Sequence, residues 1–338
     1  PLPSPAKGLS HTNIHGLLVT GDSLWIGTFE HGLDIMDIPS GKFIRHYDAG
    51  NTPYQMHSNF IYFILRTKSG NILFCTTRGL YEYNRAHDNF DLVKEAPEYI
   101  FYTAAFEDSE GTIWLGTVRD GLYYYNRRTG KQGLYLHDAA DSTSVSNNRV
   151  NSIFEDSRHR LWMATDDGLC LFHPQQQNFT TYSTRNGLLS NMIFSVLEDR
   201  KGRLWITTSK GLACFSPATG RAVVFTKANG LLNDQFNYHS AWQDSTGNMY
   251  FGGVKGMIRF NPGNFLPNNY LPPVYITGFQ VLNKEAAVGD ILKKSISFTD
   301  SIVLSHDQSS FSIDFAALSF TSPQMTAYAY RMEGLDKD

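Results

Sequence analysis

From residue 9 to residue 262 the chain alternates short apolar runs with short polar turns, and the alternation has a period. An aliphatic residue, an aromatic, a second aliphatic and then small residues occur as Leu24-Trp25-Ile26-Gly27-Thr28 and Leu73-Phe74-Cys75-Thr76-Thr77. The theme returns as Ile113-Trp114-Leu115-Gly116-Thr117, Leu161-Trp162-Met163-Ala164-Thr165, Leu204-Trp205-Ile206-Thr207-Thr208 and Met249-Tyr250-Phe251-Gly252-Gly253. The first residues of successive copies lie 49, 40, 48, 43 and 45 positions apart. Runs of this length, rich in aromatic and β-branched residues and separated by Gly, Asp, Asn and Ser, predict strands and turns, and no helical period competes with them.

Each copy is followed by Gly and an apolar residue (Gly32-Leu33, Gly79-Leu80, Gly121-Leu122, Gly168-Leu169, Gly211-Leu212, Gly256-Met257), which opens a further strand. Most copies are preceded by an apolar strand and an acidic turn, as in Phe106-Glu107-Asp108-Ser109-Glu110-Gly111 or Leu197-Glu198-Asp199-Arg200-Lys201-Gly202. Asp opens such a turn by side-chain to backbone hydrogen bonds, and Gly takes its left-handed position. His159 stands in place of that Gly in the fourth copy, a substitution the left-handed region tolerates. A fourth run, such as Phe179-Thr180-Thr181-Tyr182, completes several copies. Four short strands per roughly 40 to 45 residues are the mark of a propeller blade. The predicted fold is therefore all-β: a β-propeller of four-stranded blades with six repeats visible. The fixed aromatic is expected to fill the gap between neighbouring blades, and the small residues after it to allow close approach near the axis.

These repeats resemble the two-component regulator propeller repeat, whose pattern is a strand, an acidic turn with Gly, Leu-Trp-Ile-Gly-Thr, then Gly-Leu and an aromatic. Beyond Phe260-Asn261-Pro262 the period stops, and Pro267, Pro272 and Pro273 read as a linker. The expected division is a propeller over 1–266 and a second, truncated β-sandwich domain over 267–338. In that tail Val274–Leu282 reads as a strand, Phe311, Ile313 and Phe315 alternate with polar residues, and Tyr328, Tyr330 and Met332 share a face at period two. The Ser309–Leu318 and Tyr328–Asp336 segments are similar to the first part of a triple-tyrosine domain. Together the two resemblances imply the periplasmic sensor region of a hybrid two-component system, of the type by which gut Bacteroidetes detect oligosaccharides and regulate polysaccharide-utilisation genes. They imply further propeller blades upstream and a membrane-anchored histidine kinase downstream in the same polypeptide, a homodimer at full length, and a ring of six or seven blades.

Composition agrees with a packed module. Of 338 residues, 41% are apolar and 18% charged, and 29 basic against 32 acidic residues leave a net charge of −3. That balance supplies no sequence-wide attraction for nucleic acid, and no contact with one is expected. No apolar run approaches the ~18 residues of a membrane helix. The start at Pro1-Leu2-Pro3, with neither Met nor an apolar leader, reads as a processed or excised piece. Cys75, Cys170 and Cys214 are too few and too scattered for a disulfide framework and read as buried apolar residues.

Little in the chain points to catalysis, and neither a cofactor nor a metal is expected. Asp108, Asp156, Asp199 and Asp244 recur at one repeat offset, as a turn requirement demands, whereas a catalytic carboxylate pair should break the repeat. All five Trp hold repeat positions, Trp242 included, and are assigned to packing. His11 and His15 are four apart, a metal spacing only on a helix, and their segment reads as a strand. Function is sought on the loops of one face. There Phe29, His31, Arg78, Arg119, Asp120, Lys210 and Lys255 lie between second and third strands, while Arg149 and Asn191 lie between blades. Such a set suits an oligosaccharide, and the basic members favour an acidic one. Two other readings stay open: a glycan-active propeller enzyme of lyase or lactonase type, using Arg119 or His31, and a purely structural propeller used for dimer contacts.

Overall fold

The computed structural model describes residues 8–49, 56–264, 272–318 and 328–334. The opening prolines, the linker residue Pro267 and the Leu335-Asp336 end of the triple-tyrosine match lie outside the described residues. The chain divides into two compact units, Pro1–Phe265 and Leu266–Asp338.

The first unit is built of six antiparallel sheets in chain order. Blade 1 comprises Ile14–Thr20, Ser23–Thr28, Leu33–Asp37 and Lys42–Tyr47, and blade 2 comprises Ile61–Arg66, Ile72–Thr76, Gly79–Asn84 and Asn89–Leu92. Blade 3 comprises Tyr102–Glu107, Ile113–Thr117, Leu122–Asn126 and Lys131–Tyr135, and blade 4 Val150–Glu155, Leu161–Thr165, Gly168–His173 and Asn178–Tyr182. Blade 5 comprises Ile193–Glu198, Leu204–Thr208, Gly211–Ser216 and Arg221–Phe225, and blade 6 comprises Phe236–Gln243, Met249–Gly253 and Gly256–Phe260. Strands pair in sequence order within each blade. The first strands of consecutive blades pack on one another from blade 1 to blade 6, so they form the inner wall. This is the propeller expected from the repeat.

One clip recurs in the turn between first and second strands. Asp156 Oδ1 accepts the backbone N–H groups of Arg158 (2.9 Å) and Arg160 (3.0 Å), while Oδ2 accepts the Trp162 indole N–H at 2.9 Å. Asp108 does the same for Glu110, Thr112 and Trp114, and Asp199 for Lys201, Arg203 and Trp205. In blade 6 Asp244 serves Thr246, Asn248 and the Tyr250 hydroxyl, and in blade 1 Thr20 Oγ1 accepts from Trp25 at 2.8 Å. The clip fixes the turn and aims the aromatic at the next blade. Trp114 meets Phe172 of blade 4 (5.2 Å between ring centres), Trp162 meets Phe215 of blade 5 (6.1 Å) and Trp205 meets Phe260 of blade 6 (4.8 Å). His159, in the glycine position of the blade 4 turn, has φ +57°. Burial alone would raise the Asp156 carboxyl, but the bonds from Trp162 and from the Arg160 and Arg158 N–H groups outweigh it and leave it below the usual carboxylate range.

At the other end of the second strand a buried threonine closes the hairpin. The hydroxyls of Thr28, Thr76, Thr117, Thr165 and Thr208 donate to the carbonyls of Gly32, Gly79, Gly121, Gly168 and Gly211. Small residues just before it admit the neighbouring wall: a Cβ on Gly116 would stand 2.6 Å from the Val150 carbonyl oxygen.

The hairpin threonine corrects the second repeat. Thr76, not Thr77, occupies this position, so the second copy is Ile72-Leu73-Phe74-Cys75-Thr76, shifted by one residue from the frame that places Phe74 with the tryptophans. In a strand one residue changes the face. Phe74 accordingly points back at Trp25 of blade 1 (5.9 Å), while Leu73 takes the tryptophan position and packs among Ala105, Ile113 and Leu115 of blade 3.

A second correction concerns Trp242. It shares its repeat position with Phe106, Phe154 and Leu197, which pack against the following blade, but it is 61% exposed and lies on Tyr250 of its own sheet. The first blade shows the matching feature on its other face. Leu17 is 59% exposed, whereas its counterparts Ile64, Ala105, Ile153 and Val196 are between 4% and 7% exposed. One sheet face of blade 1 and one of blade 6 thus carry apolar residues into solvent.

The second unit contains one three-stranded antiparallel sheet in which Val274–Val281 lies between Lys284–Glu285 and Phe311–Ala317. Phe279, Val281 and Leu292 form its small core. Residues 328–334 contain no strand, contrary to the period-two reading of Tyr328, Tyr330 and Met332; Tyr328 instead sets its ring edge on Phe315 (5.3 Å) and its hydroxyl accepts the Ala317 N–H. A second sheet is absent among the described residues.

The clip and the exposed face give opposite expectations for two substitutions. Asp156→Ala leaves a buried indole N–H and two turn N–H groups unpaired and should cost about 3 kcal/mol. Trp242→Ala should stay within about 1 kcal/mol. Urea or thermal unfolding followed by circular dichroism distinguishes them, and equal losses would contradict the assignment of Trp242 to a free face.

Candidate functional site

The loop face is held together by backbone bonds between two sets of loops. In five blades the loop after the second strand donates to the segment entering the same blade: Phe29 to Asn13, Val118 to Phe101, Asp166 to Arg149, Ser209 to Met192 and Val254 to Gln235. These bonds tie the loop to the start of the inner strand in five blades, and the inner strands pack on one another around the axis.

Five of those strands are built alike. Six positions separate Ile14 from Thr20, Ile61 from Thr67, Tyr102 from Asp108, Val150 from Asp156 and Ile193 from Asp199, and each strand has one surplus residue opposite its partner. Blade 6 departs from this. Eight positions separate Phe236 from Asp244, and six residues, Phe236 to Ala241, span the register that the three residues Gly253 to Phe251 cover on the partner strand. The larger bulge carries Tyr238 and His239 inward. His239, at φ +53°, lies 5.0 Å from Phe63 of blade 2 and donates to the Thr103 backbone of blade 3. Tyr238 sets its edge on Phe194 of blade 5 (4.5 Å) and lies under the Arg149 guanidinium of blade 4 (5.3 Å).

Around this bulge runs a collar of rings. His15 contacts Phe29 (5.4 Å) and Tyr62 (4.7 Å), Phe29 meets Phe60 edge-on (4.8 Å), and Tyr62 meets Phe101 (4.9 Å). All of these rings are half-buried. On the blade 4 side Arg149 pairs with Asp166 at 3.6 Å and with the Asn151 side chain at 3.2 Å, while Asn151 also donates to Asp166 at 2.8 Å. Burial raises the Tyr62 and Tyr238 phenols and lowers His15. Burial, with a further push from His15, drives His239 down to about 4 against the Thr103 bond. Both histidines are therefore neutral at pH 7. The His239 Nε2 is shielded from water without a partner, as is the Ser195 hydroxyl, and both residues line a cavity of about 140 Å³.

The structure divides the residues expected from sequence. Phe29 and Arg149 belong to the collar. His31 stacks on His11 at 4.6 Å, away from any metal-ligand arrangement; no group of three or more His, Cys, Asp or Glu that could hold a metal occurs among the described residues. Asn191 is tied to Asp167 and to the Thr184 N–H, a structural duty. The Asp120 N–H donates to Thr117. Arg78, Arg119, Lys210 and Lys255 occupy equivalent loops and are exposed. His15, Phe60, Tyr62, Phe101, Asp166, Phe194, Tyr238 and His239 were not anticipated. The eight-residue interval of blade 6 was the available signal for the last two. A larger cleft of about 530 Å³ lies at the turn end of blades 3 and 4, lined by Trp114, Tyr124, Tyr135 and Lys131.

A family model described as two component regulator propeller matches residues 144–167 and 187–210. Each match runs from the inter-blade loop through the clip into the second strand of blades 4 and 5. Two stretches of the chain, in blades 4 and 5, thus match the repeat that this model describes. Histidine kinase P4 of Formosa agariphila is 29% identical to it, over 98% of this chain and 25% of the kinase. The chain is also similar in fold to the extracellular domain of a hybrid two-component system from B. thetaiotaomicron (22% identity, TM-score 0.50, 91% of this chain and 47% of that one). A further fold match is PorZ, a surface component of the type-IX secretion system of Porphyromonas gingivalis (13% identity, TM-score 0.58, 84% of this chain and 46% of that one). The chain spans a quarter of the kinase and about half of each of these structures.

The buried neutral imidazole should make the propeller acid-sensitive. A histidine whose folded pKa is about 4, against 6.5 when free, contributes fully above 6.5 and loses its contribution as pH falls toward 4. Melting temperature should drop between pH 7 and pH 4.5, and His239→Phe should flatten that limb; an unchanged slope would place the acid sensitivity elsewhere.

Proposed function

We propose that this chain is the extracytoplasmic, periplasmic sensor part of a hybrid histidine kinase. In this reading it binds a glycan-derived oligosaccharide and relays occupancy across the membrane to regulate polysaccharide-utilisation genes. The observation that carries the reading is the match to regulator propeller repeats in a chain whose whole length is similar to a quarter of a histidine kinase. The chain itself is read as non-catalytic: the recurrent aspartates are committed to the aromatic clips, where they hold turns. The second unit, over 267–338, is read as the start of a triple-tyrosine domain of β-sandwich type, on the path to the membrane. The complete protein would act as a dimer, since a ligand signals by favouring one arrangement of its receptor over another.

The ligand is assigned to the loop face. Rings and convergent polar groups are the usual lining of such sites. Arg78, Arg119, Lys210 and Lys255, exposed on equivalent loops, offer weak contacts to any carboxylate or sulfate on the outer part of the ligand.

Calorimetric titration against neutral, uronate-containing and sulfated oligosaccharides tests the assignment. Saturable binding without turnover is expected. Replacing each of the four outer cations by Gln should weaken an anionic ligand about twofold to fivefold at low salt and less at high salt, as exposed pairs do. Turnover abolished by Arg119→Ala or His31→Ala would replace the sensor reading with an enzymatic one.

A further inference from the structure

We infer that the axial collar receives the end of a glycan chain, presented as an uncharged terminal sugar ring, and that the sixth-blade bulge is what limits recognition to an end. The inference rests on the glycan-sensor reading above and specifies which part of the ligand is read.

The first observation is closure of the axis. Two adjacent residues of one strand reach four other blades: His239 touches Phe63 and the Thr103 backbone, and Tyr238 touches Phe194 and Arg149. Blade 6 is the one whose inner strand has two residues more than the others, so the obstruction is an addition to the repeat. A linear polymer cannot thread through such an axis, so a chain that approaches along it meets the collar with an end.

The second observation is the chemistry presented upward. Phe29, Tyr62, Phe101 and Tyr238 offer half-exposed ring faces and edges, which suit the C–H face of a sugar. Beside them stands a donor and acceptor pair, Arg149 and Asp166, with side chains 29% and 24% exposed. A guanidinium next to a carboxylate matches neighbouring hydroxyls, which accept from one and donate to the other.

The third observation is charge. The titratable groups facing the collar are His15 on blade 1, Tyr62 on blade 2, Arg149 and Asp166 on blade 4, and Tyr238 and His239 on blade 6. At pH 7 the Arg149 and Asp166 charges cancel and the other four groups are neutral. An anionic terminus would bring its charge against Asp166 with Arg149 already engaged. The exposed cations Arg78, Arg119, Lys210 and Lys255 can only serve groups carried further along the ligand.

The experiment uses the whole chain. Binding is first surveyed on an array of neutral and anionic oligosaccharides, and the binders are then titrated as ladders of one to six residues. Affinity should reach its plateau by two residues, and blocking the bound terminus by O-methylation should abolish binding. Arg149→Gln and Asp166→Asn should each weaken binding at least tenfold, with melting temperatures within a few degrees of the parent. Phe29→Ala, on a surface loop, gives a second readout less exposed to folding defects and should weaken binding severalfold. Lys131→Glu, in the cleft at the opposite end, should leave it unchanged. Affinity that climbs steadily to six residues, binders that are anionic at the terminus, or sensitivity to Lys131→Glu in place of Arg149→Gln would each overturn end-on recognition while leaving the sensor reading intact. An array without a single binder would remove both.

Discussion

The hydrogen bond between a turn aspartate and the indole of the following strand holds this architecture together. It acts at two levels. Locally it satisfies turn N–H groups that the hairpin cannot pair, and between sheets it orients a ring that contacts the next blade. A blade lacking that ring direction would still be a sheet, but it would have no preferred neighbour. The threonine lock at the opposite end of the same strand fixes the register from which the ring position is counted. Two short polar devices therefore convert a hydrophobic repeat into a ring with a set order.

Repetition also explains which features could be read from the chain. Aromatic and glycine offsets were enough for the propeller, because every copy solves the same packing problem. The second copy was misframed because Phe74 looks like its tryptophan counterparts; only the position of Thr76, which donates to Gly79, shows that the ring faces backward. Trp242 has the residue type and the offset of a core position, but among the described residues no sheet packs over it, which a single blade's sequence does not encode. The tail misled for a related reason: Tyr328 keeps the period of a strand, yet its partner is the ring of Phe315.

The candidate site was half visible. Charged loop residues announce themselves, and Arg149 and Phe29 were among them. The collar is different, since Tyr62, Phe101 and Phe194 stand near strand starts where apolar residues are ordinary, and only the ring geometry brings six such starts to one axis. Blade 6 is the exception that sequence could have exposed, through its longer interval between Phe236 and Asp244.

That longer interval has a consequence for orientation. Six similar blades around one axis offer a guest there up to six related poses, and a guest spread among them favours none. Tyr238 and His239 break the rotational degeneracy by projecting from one blade only. The entropy of choosing one pose from six, about 1 kcal/mol in RT ln 6, is settled in the fold before any guest arrives. What the bulge gives the propeller is a compass bearing.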